Sequence, residues 1–153
     1  MNIADMIDEK LVSFGFEAAN KDEVLKGVGK MMYDAGKVTD LQKYIDGLYQ
    51  REEEFATGMG NGVAIPHCKS DCVKDAAFTL VKLKKPVEWG SLDDQPVDYV
   101  IMLAAPDSSD NVHLKMLSQV AANLMDDDFR EGLKDATDVG QIIDIFKNRK
   151  EEE

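Results

Sequence analysis

An almost unbroken apolar run from Val97 to Ala105 constrains the fold of this chain more than any other feature. Asp98 is the one charged residue in the run, which is the pattern of a strand that is covered on both faces. Such a strand lies at the centre of a sheet that other elements cover on both sides. The run therefore predicts a central strand that is covered on both faces.

Helical and strand patterns alternate along the rest of the chain. Asn20 and Glu23 form a capping-box pattern that predicts a helix, and Gly36 follows where that helix would end. Further helices are predicted from Thr39 or Asp40 toward Arg51, after Asp107–Asp110, around Phe129–Leu133 and after Thr137–Asp138. Further strands are predicted over Gly62–Ile65 and Ala76–Leu83, with an irregular excursion between Pro86 and Pro96. We predict one α/β domain over residues 1–149, with helices packed on a mostly covered sheet, and a charged tail at 150–153.

The composition excludes several classes of partner. The formal net charge is −12 and the sequence pI is about 4.5, so the chain repels nucleic-acid phosphates and anionic membrane surfaces. No basic and apolar leader opens the chain, and no segment approaches the ~20 apolar residues of a membrane helix. Cys68 and Cys72 do not make the framework of a secreted disulfide protein. We therefore expect a cytoplasmic protein with reduced cysteines, no nucleic-acid partner and no insertion into the membrane.

The segment with the clearest chemistry is Thr57-Gly58-Met59-Gly60-Asn61-Gly62-Val63-Ala64-Ile65-Pro66-His67. Its three glycines at alternate positions permit unusual backbone angles and let a ligand approach main-chain N–H groups. Two nucleotide-binding motifs do not fit this segment. The glycines precede a strand-like stretch rather than open a helix, and no G-x-x-x-x-G-K-[S/T] pattern occurs in the chain.

His67 follows directly after Pro66, whose fixed φ limits the freedom of the backbone. A histidine has an ordinary pKa of ~6.5, so much of it is unprotonated at neutral pH and a ring nitrogen can accept a phosphoryl group without a separate base. Such a site needs donors for the phosphoryl oxygens and a partner that fixes the imidazole tautomer. The residues alone leave two interpretations open, a phosphoryl acceptor and a polar histidine in a turn.

The eleven-residue segment that ends at His67 resembles the active-histidine motif of the fructose/mannitol-type (type 2) enzyme IIA domains of the bacterial sugar phosphotransferase system. Arg51-Glu52 at the end of a predicted helix and His113-Leu114-x-x-Leu117 at the start of another are similar to two further sites of that family. The resemblance covers essentially the whole chain. It implies an α/β sandwich in which helices enclose a mixed β-sheet.

The resemblance implies a phosphotransferase component that carries a phosphoryl group on His67. The donor would be the histidine-containing phosphocarrier protein. The acceptor would be a cysteine of enzyme IIB, which phosphorylates incoming sugar, with fructose or a hexitol as the expected sugar. In-line transfer of this kind depends on positioning and charge neutralisation. The resemblance implies no cofactor and no metal. A regulatory, nitrogen-type enzyme IIA, which binds target proteins according to its phosphorylation state, is the alternative.

The resemblance also assigns roles to two residues outside the motif. His113 would donate a hydrogen bond to His67 or to its phosphoryl group; the alternative is an exposed histidine at the start of a helix. Arg51 would neutralise the phosphoryl group, for which a guanidinium has suitable geometry. The alternative for Arg51 is a surface ion pair with Glu52–Glu54.

Four residues of the glycine loop are candidates for binding the phosphoryl group or for shaping the loop: Thr57, Gly60, Asn61 and Gly62. Thr57 could hydrogen-bond the phosphoryl group or close the turn. Asn61 stands where some relatives carry Glu, and we expect it to shape the loop.

A metal site is a further alternative, because Cys68 and Cys72 lie close to His67 in the chain and His113 could join them. The spacing of the two cysteines differs from the tight Cys-x-x-Cys pairs of most structural zinc sites, and the family needs no metal. A metal-dependent hydrolase built on these residues would contain stoichiometric zinc.

Overall fold

The computed structural model describes residues 6–54, 57–107 and 112–147, and for residues 112–114, 116 and 117 it describes the backbone alone. Five α-helices lie in these ranges: α1 (Lys21–Asp34), α2 (Leu41–Glu54), α3 (Val112–Leu124), α4 (Asp127–Asp135) and α5 (Val139–Lys147). The same ranges contain eight strands: β1 (Val12–Phe16), β2 (Gly58–Gly60), β3 (Val63–Ala64), β4 (His67–Ser70), β5 (Ala77–Phe78), β6 (Leu80–Val87), β7 (Val97–Val100) and β8 (Leu103–Pro106). The predicted tail at 150–153 and the predicted helix caps at 108–110 lie outside the described residues.

Short polar side chains begin four of the helices. Asn20, Asp40, Asp126 and Asp138 accept hydrogen bonds from the backbone N–H groups three residues later, at 2.9, 3.1, 3.1 and 2.9 Å. Each bond satisfies an N–H group that the first turn of a helix leaves without a partner. The sequence predictions of α1, α2, α4 and α5 are confirmed, with α4 beginning two residues before Phe129.

The strands form two sheets, each with parallel and antiparallel pairs. The larger sheet has the order β1-β6-β7-β3-β2, and the smaller has the order β4-β8-β5. Parallel pairing joins β1 to β6, β3 to β7 and β4 to β8, and the other neighbours are antiparallel. The mixed sheet that the resemblance implies is confirmed, although it is divided in two.

Three segments of the chain contribute one strand to each sheet, and this arrangement positions the candidate histidine. The segments are β3 with β4, β5 with β6, and β7 with β8. The prediction of one strand over Val97–Ala105 is therefore wrong, since the strand divides at Ile101 and Met102. At the division Ile101 N–H donates to the Ala64 carbonyl at 2.9 Å, and Met102 N–H donates to Thr79 Oγ1 at 3.0 Å. The backbone partners thus change from one sheet to the other.

The two shorter strand predictions also differ in their bounds. The strand predicted over Gly62–Ile65 is limited to Val63–Ala64. The strand predicted over Ala76–Leu83 divides at Thr79, and its second part extends to Val87. The irregular excursion predicted from Pro86 accordingly begins after Val87, since Pro86 lies inside β6.

Helices cover both faces of the sheets. On one face α1 and α2 pack an apolar cluster in which Leu25, Met32 and Leu48 are fully buried. On the other face α3, α4 and α5 pack a second cluster, which includes Phe129 and Phe146. The predicted α/β sandwich is confirmed. No helix in the described ranges combines the length and the apolar character needed to span a bilayer.

Candidate functional site

His67 is the first residue of β4, at the point where the chain leaves the larger sheet for the smaller one. Pro66 before it has no N–H to donate, but the Pro66 carbonyl accepts from Leu103 N–H at 2.9 Å, so pairing with the β7–β8 segment continues. His67 is 7% exposed and borders a cleft of about 250 Å³ between α2 and β4. The described residues that line this cleft are Gly47, Gln50, Arg51, Glu54, His67, Cys68 and Lys69.

The two ring nitrogens of His67 have different partners. Nδ1 lies 2.8 Å from the Ile65 carbonyl oxygen, which only an N–H group can satisfy. The proton of the neutral ring is therefore on Nδ1, and Nε2 carries the lone pair. Arg51 Nε–H donates to Nε2 at 3.1 Å, which agrees with this tautomer. The arrangement leaves Nε2 as the nucleophilic nitrogen.

The surroundings of His67 favour the neutral ring. Burial lowers the pKa of His67, because an imidazolium loses more hydration than a neutral imidazole. The positive charge of Arg51 lowers this pKa further, while the bond to the Ile65 carbonyl and the carboxylates of Glu52 and Glu54 act in the opposite direction without outweighing burial. The lone pair on Nε2 is therefore kept to a lower pH than in an ordinary histidine.

Arg51 lies in the last turn of α2, and its neighbour Glu52 faces a different set of partners. The Glu52 carboxylate, whose side chain is only 6% exposed, lies 2.8 Å from Lys21 Nζ at the start of α1. It also accepts from Thr57 N–H at 3.1 Å. The two neighbouring side chains thus have separate partners. Arg51 contacts His67, and Glu52 contacts Lys21 and the loop that leads to β2.

Thr57 has the contacts of a residue that closes the turn. Its hydroxyl donates to Glu52 Oε1 and accepts from Trp89 Nε1–H at 3.2 Å. Its carbonyl accepts from Ile65 N–H at 3.0 Å. Of the two roles that the sequence left open for Thr57, these contacts favour closing the turn over binding the phosphoryl group.

Gly60, Asn61 and Gly62 form the tip of the β2–β3 hairpin. Asn61 and Gly62 have positive φ angles of 57° and 79°, as a two-residue hairpin turn of this kind requires. Asn61 N–H donates to Asp93 Oδ2 at 2.9 Å, and its carbonyl accepts from Lys134 Nζ at 2.5 Å. None of the three is among the described residues that line the His67 cleft. Their contacts support the loop-shaping role.

His113 is the second residue of α3. Its side chain lies outside the part of the chain that the structure describes. Its contact with His67 stays a prediction.

Four residues that line the cleft were not predicted as site residues: Gly47, Gln50, Glu54 and Lys69. A usable signal was present for Lys69, because side chains two residues apart in a strand lie on the same face and Lys69 is two residues after His67. Gln50 and Glu54 flank Arg51 on α2, but the end of a polar helix does not itself indicate which side chains face a site.

Cys68 and Cys72 are both buried and neither forms a disulfide. Burial raises the pKa of the Cys68 thiol to about 11, so a thiolate nucleophile is disfavoured there. Within the described ranges no group of three or more histidine, cysteine or acidic side chains is placed to hold a metal ion.

The chain matches the family model described as "Phosphoenolpyruvate-dependent sugar phosphotransferase system, EIIA 2" over residues 5–149. It is 34% identical over 146 residues to the fructose-specific EIIABC component of Bacillus subtilis, covering 95% of this chain and 23% of that protein. It therefore spans about a quarter of that relative's length. It is 33% identical over 126 residues to the nitrogen regulatory protein of Pseudomonas aeruginosa, covering 82% of each.

The fold is also similar to a solved structure from Escherichia coli, the complex of enzyme IIAMTL with phosphorylated enzyme IIBMTL. The TM-score is 0.80 at 22% identity, with 94% of this chain and 98% of that chain covered. At this identity the likeness establishes the fold. The match of the family model over nearly the whole chain establishes the family: the chain belongs to the EIIA 2 family of the phosphoenolpyruvate-dependent sugar phosphotransferase system.

Proposed function

We propose that this chain is a phosphotransferase component that carries a phosphoryl group on Nε2 of His67. The observation that carries the proposal is the pair of bonds to the imidazole, Nδ1–H to the Ile65 carbonyl and Nε2 to Arg51 Nε–H. Together they leave a lone pair on one defined nitrogen, with a permanent cation beside it. Both features are what in-line transfer of an anionic group requires.

The proposed donor is the phosphohistidine of the histidine-containing phosphocarrier protein. The Nε2 lone pair attacks phosphorus, the bond between phosphorus and the donor nitrogen breaks, and its electron pair returns to the donor ring. The proton on Nδ1 stays in place, and the Ile65 carbonyl stabilises the positive charge that develops on the ring of His67. Arg51 then faces phosphoryl oxygens where it had faced the lone pair.

The proposed acceptor is a cysteine thiolate of enzyme IIB, which takes the group in a second in-line step. The name of the Bacillus subtilis relative makes fructose the sugar to try first. We propose that residues 1–149 form one EIIA domain, which the family match over residues 5–149 supports. We also propose a cytoplasmic location, which agrees with the two buried cysteines being free thiols.

The test is phosphorylation of the purified chain by phosphoenolpyruvate, enzyme I and the phosphocarrier protein, read by intact mass. We expect one added phosphoryl group that is lost in acid and is absent from a His67→Ala variant. ¹⁵N NMR of the phosphoprotein should place the phosphorus on Nε2. A folded wild-type chain that stays unmodified would sink the proposal, and a group on Nδ1 would contradict the tautomer argument.

A regulatory role is the second candidate, favoured by the similarity to the nitrogen regulatory protein of Pseudomonas aeruginosa. Both candidates use phosphorylated His67, so they are separated by what the group does next. Rapid transfer to a cysteine of a fructose-type enzyme IIB supports the transport role. A phosphoprotein that does not transfer its group, and whose binding to a target protein changes on phosphorylation, supports the regulatory one.

A further inference from the structure

Lys69 shares the cleft with His67. It lies two residues further along β4, so the two side chains project from the same face of the strand. Lys69 is exposed whereas His67 is buried, and both line the cleft. The ammonium group at the end of the long lysine side chain can therefore reach the space in front of the imidazole while remaining in contact with water.

Lys69 has no ion pair with a carboxylate in the described part of the chain. Two other lysines near the site have carboxylate partners: Lys21 pairs with Glu52 at 2.8 Å, and Lys43 pairs with Asp71. The ammonium of Lys69 is thus available to an anion that enters the cleft.

The charges around the cleft are suited to a phosphoryl group. Among the described residues that line it, Arg51 and Lys69 are cationic and Glu54 is anionic, which leaves an excess of one positive charge beside a neutral His67. A phosphoryl group on nitrogen spreads its negative charge over three oxygens, and a guanidinium fork binds two of them at most. A second cation on the open side of the cleft can meet the remaining oxygen.

We infer that Lys69 is a second catalytic cation of this site, whose ammonium binds a phosphoryl oxygen on His67 beside Arg51. This inference rests on the proposed function. Lys69 moves no proton in the transfer; it neutralises charge on the group both as the phosphohistidine forms and while it persists.

The experiment compares three variants with the wild type. Lys69→Met removes the ammonium, Lys69→Arg keeps a cation, and Lys85→Met is the matched control. Lys85 is an exposed residue of β6 that does not line the cleft, so the control loses the same charge elsewhere. Each protein is phosphorylated and freed of its partners. The second pKa of the phosphoryl group is then measured by ³¹P NMR, a readout that docking of a partner cannot affect.

A nearby cation favours the dianionic phosphoryl group, so its removal should raise that pKa. We expect Lys69→Met to raise it by roughly half a unit relative to Lys85→Met, and Lys69→Arg to restore most of the difference. We also expect phosphorylation of Lys69→Met to be about tenfold slower. An amide NMR spectrum of each protein checks that the fold is intact.

Equal pKa values in Lys69→Met and Lys85→Met would overturn the inference while leaving the carrier function standing. A slower rate without a pKa change would overturn it as well and would assign Lys69 to partner docking. Failure of the wild type to accept a phosphoryl group at His67 would instead remove the proposed function, and the inference with it.

Discussion

At the scale of single residues, His67 is defined by two bonds of opposite kind. A carbonyl holds Nδ1–H on one side of the ring, and a cationic N–H group faces Nε2 on the other. The first bond selects the tautomer, and the second disfavours protonation of Nε2. A histidine with only one of these contacts would titrate or rotate more freely.

The effect of Arg51 on protonation of His67 can be measured directly. Replacing Arg51 with Met removes a positive charge and a donor to Nε2, so we expect the pKa of His67 to rise toward its ordinary value. Titration of the imidazole nitrogens by ¹⁵N NMR measures the pKa of His67. Arg130→Met is the matched control, because the contacts of Arg130 with the Leu124 carbonyl and Asp127 lie at the start of α4. A pKa of His67 that falls in Arg51→Met would contradict this account.

The residue types at the site could be predicted from the sequence, but not their contacts. His67 and Arg51 were found because they resemble a family motif, and the structure brings both to one cleft. Thr57, Asn61 and the glycines were grouped with them because they are close in the chain. A hairpin turn directs Asn61 toward Asp93 and Lys134 instead. That direction depends on residues 30 or more positions away, which a local pattern does not contain.

At the scale of elements, the link between α2 and β2 keeps Arg51 in position. Glu52 joins the end of α2 to Thr57 before β2 and to Lys21 at the start of α1. Trp89 completes the link through its bond to the Thr57 hydroxyl. The end of α2, next to Arg51, is therefore linked to the start of α1, to the residue before β2 and, through that residue, to Trp89.

Glu52→Gln should loosen this link. The amide can accept one hydrogen bond from Thr57 but cannot pair with the ammonium of Lys21, so we expect unfolding to be easier by roughly 2 kcal/mol. Urea denaturation checks this value. The neighbouring Glu53→Gln changes an exposed residue and should cost less than about 0.5 kcal/mol. Similar losses in the two variants would mean that the link contributes little to stability.

Gly47 of α2 is a second point at which elements are matched closely. A Cβ atom there would lie 2.5 Å from Cys68 Sγ on β4, whereas a Cβ at Gly29 of α1 would have no neighbour closer than 3.4 Å. Alanine normally stabilises a helix relative to glycine by roughly 0.5–1 kcal/mol. We therefore expect Gly29→Ala to raise the melting temperature and Gly47→Ala to lower it.

The Gly47→Ala effect has an internal check. If the clash with the sulfur is its cause, adding Cys68→Ala should restore much of the lost melting temperature. If the melting temperature of the double variant falls by the sum of the two single losses, the clash with the sulfur is not the cause of the Gly47→Ala effect.

The elements themselves differ in how far a sequence can reveal them. Helix starts were predictable because a cap is a local interaction between residues three apart. β1 was missed, since Val12–Phe16 includes Gly15 and has no unbroken apolar run, and its partner β6 lies far along the chain. The sequence does not indicate the division of Val97–Ala105 into two strands, for another reason. Ile101 and Met102 are fully buried like their neighbours, so apolar character does not mark where the partner changes.

At the scale of the whole molecule, two helical layers enclose sheets that share three chain segments. The site lies where two of these segments cross between the sheets, bordered by α2. Elsewhere in the larger sheet, Asp98 of β7 pairs with Lys134 of α4. Burial opposes its ionisation, but hydrogen bonds from Lys82 and Lys134 outweigh this and hold the pKa of Asp98 below its ordinary value. Asp98 thus joins β6 and β7 of the larger sheet to α4.

The uninterrupted pairing of β3–β4 with β7–β8 has a consequence for changes in chain length. Val63 lies opposite Tyr99 and His67 lies opposite Leu103, so the register is the same on both sides of Pro66. One residue inserted between Val63 and His67 would exchange the two faces of β4 and turn the imidazole to where the thiol of Cys68 now points. Insertions and deletions are therefore expected to be tolerated better in the surface loops than between Val63 and His67, where they would change the direction of the imidazole.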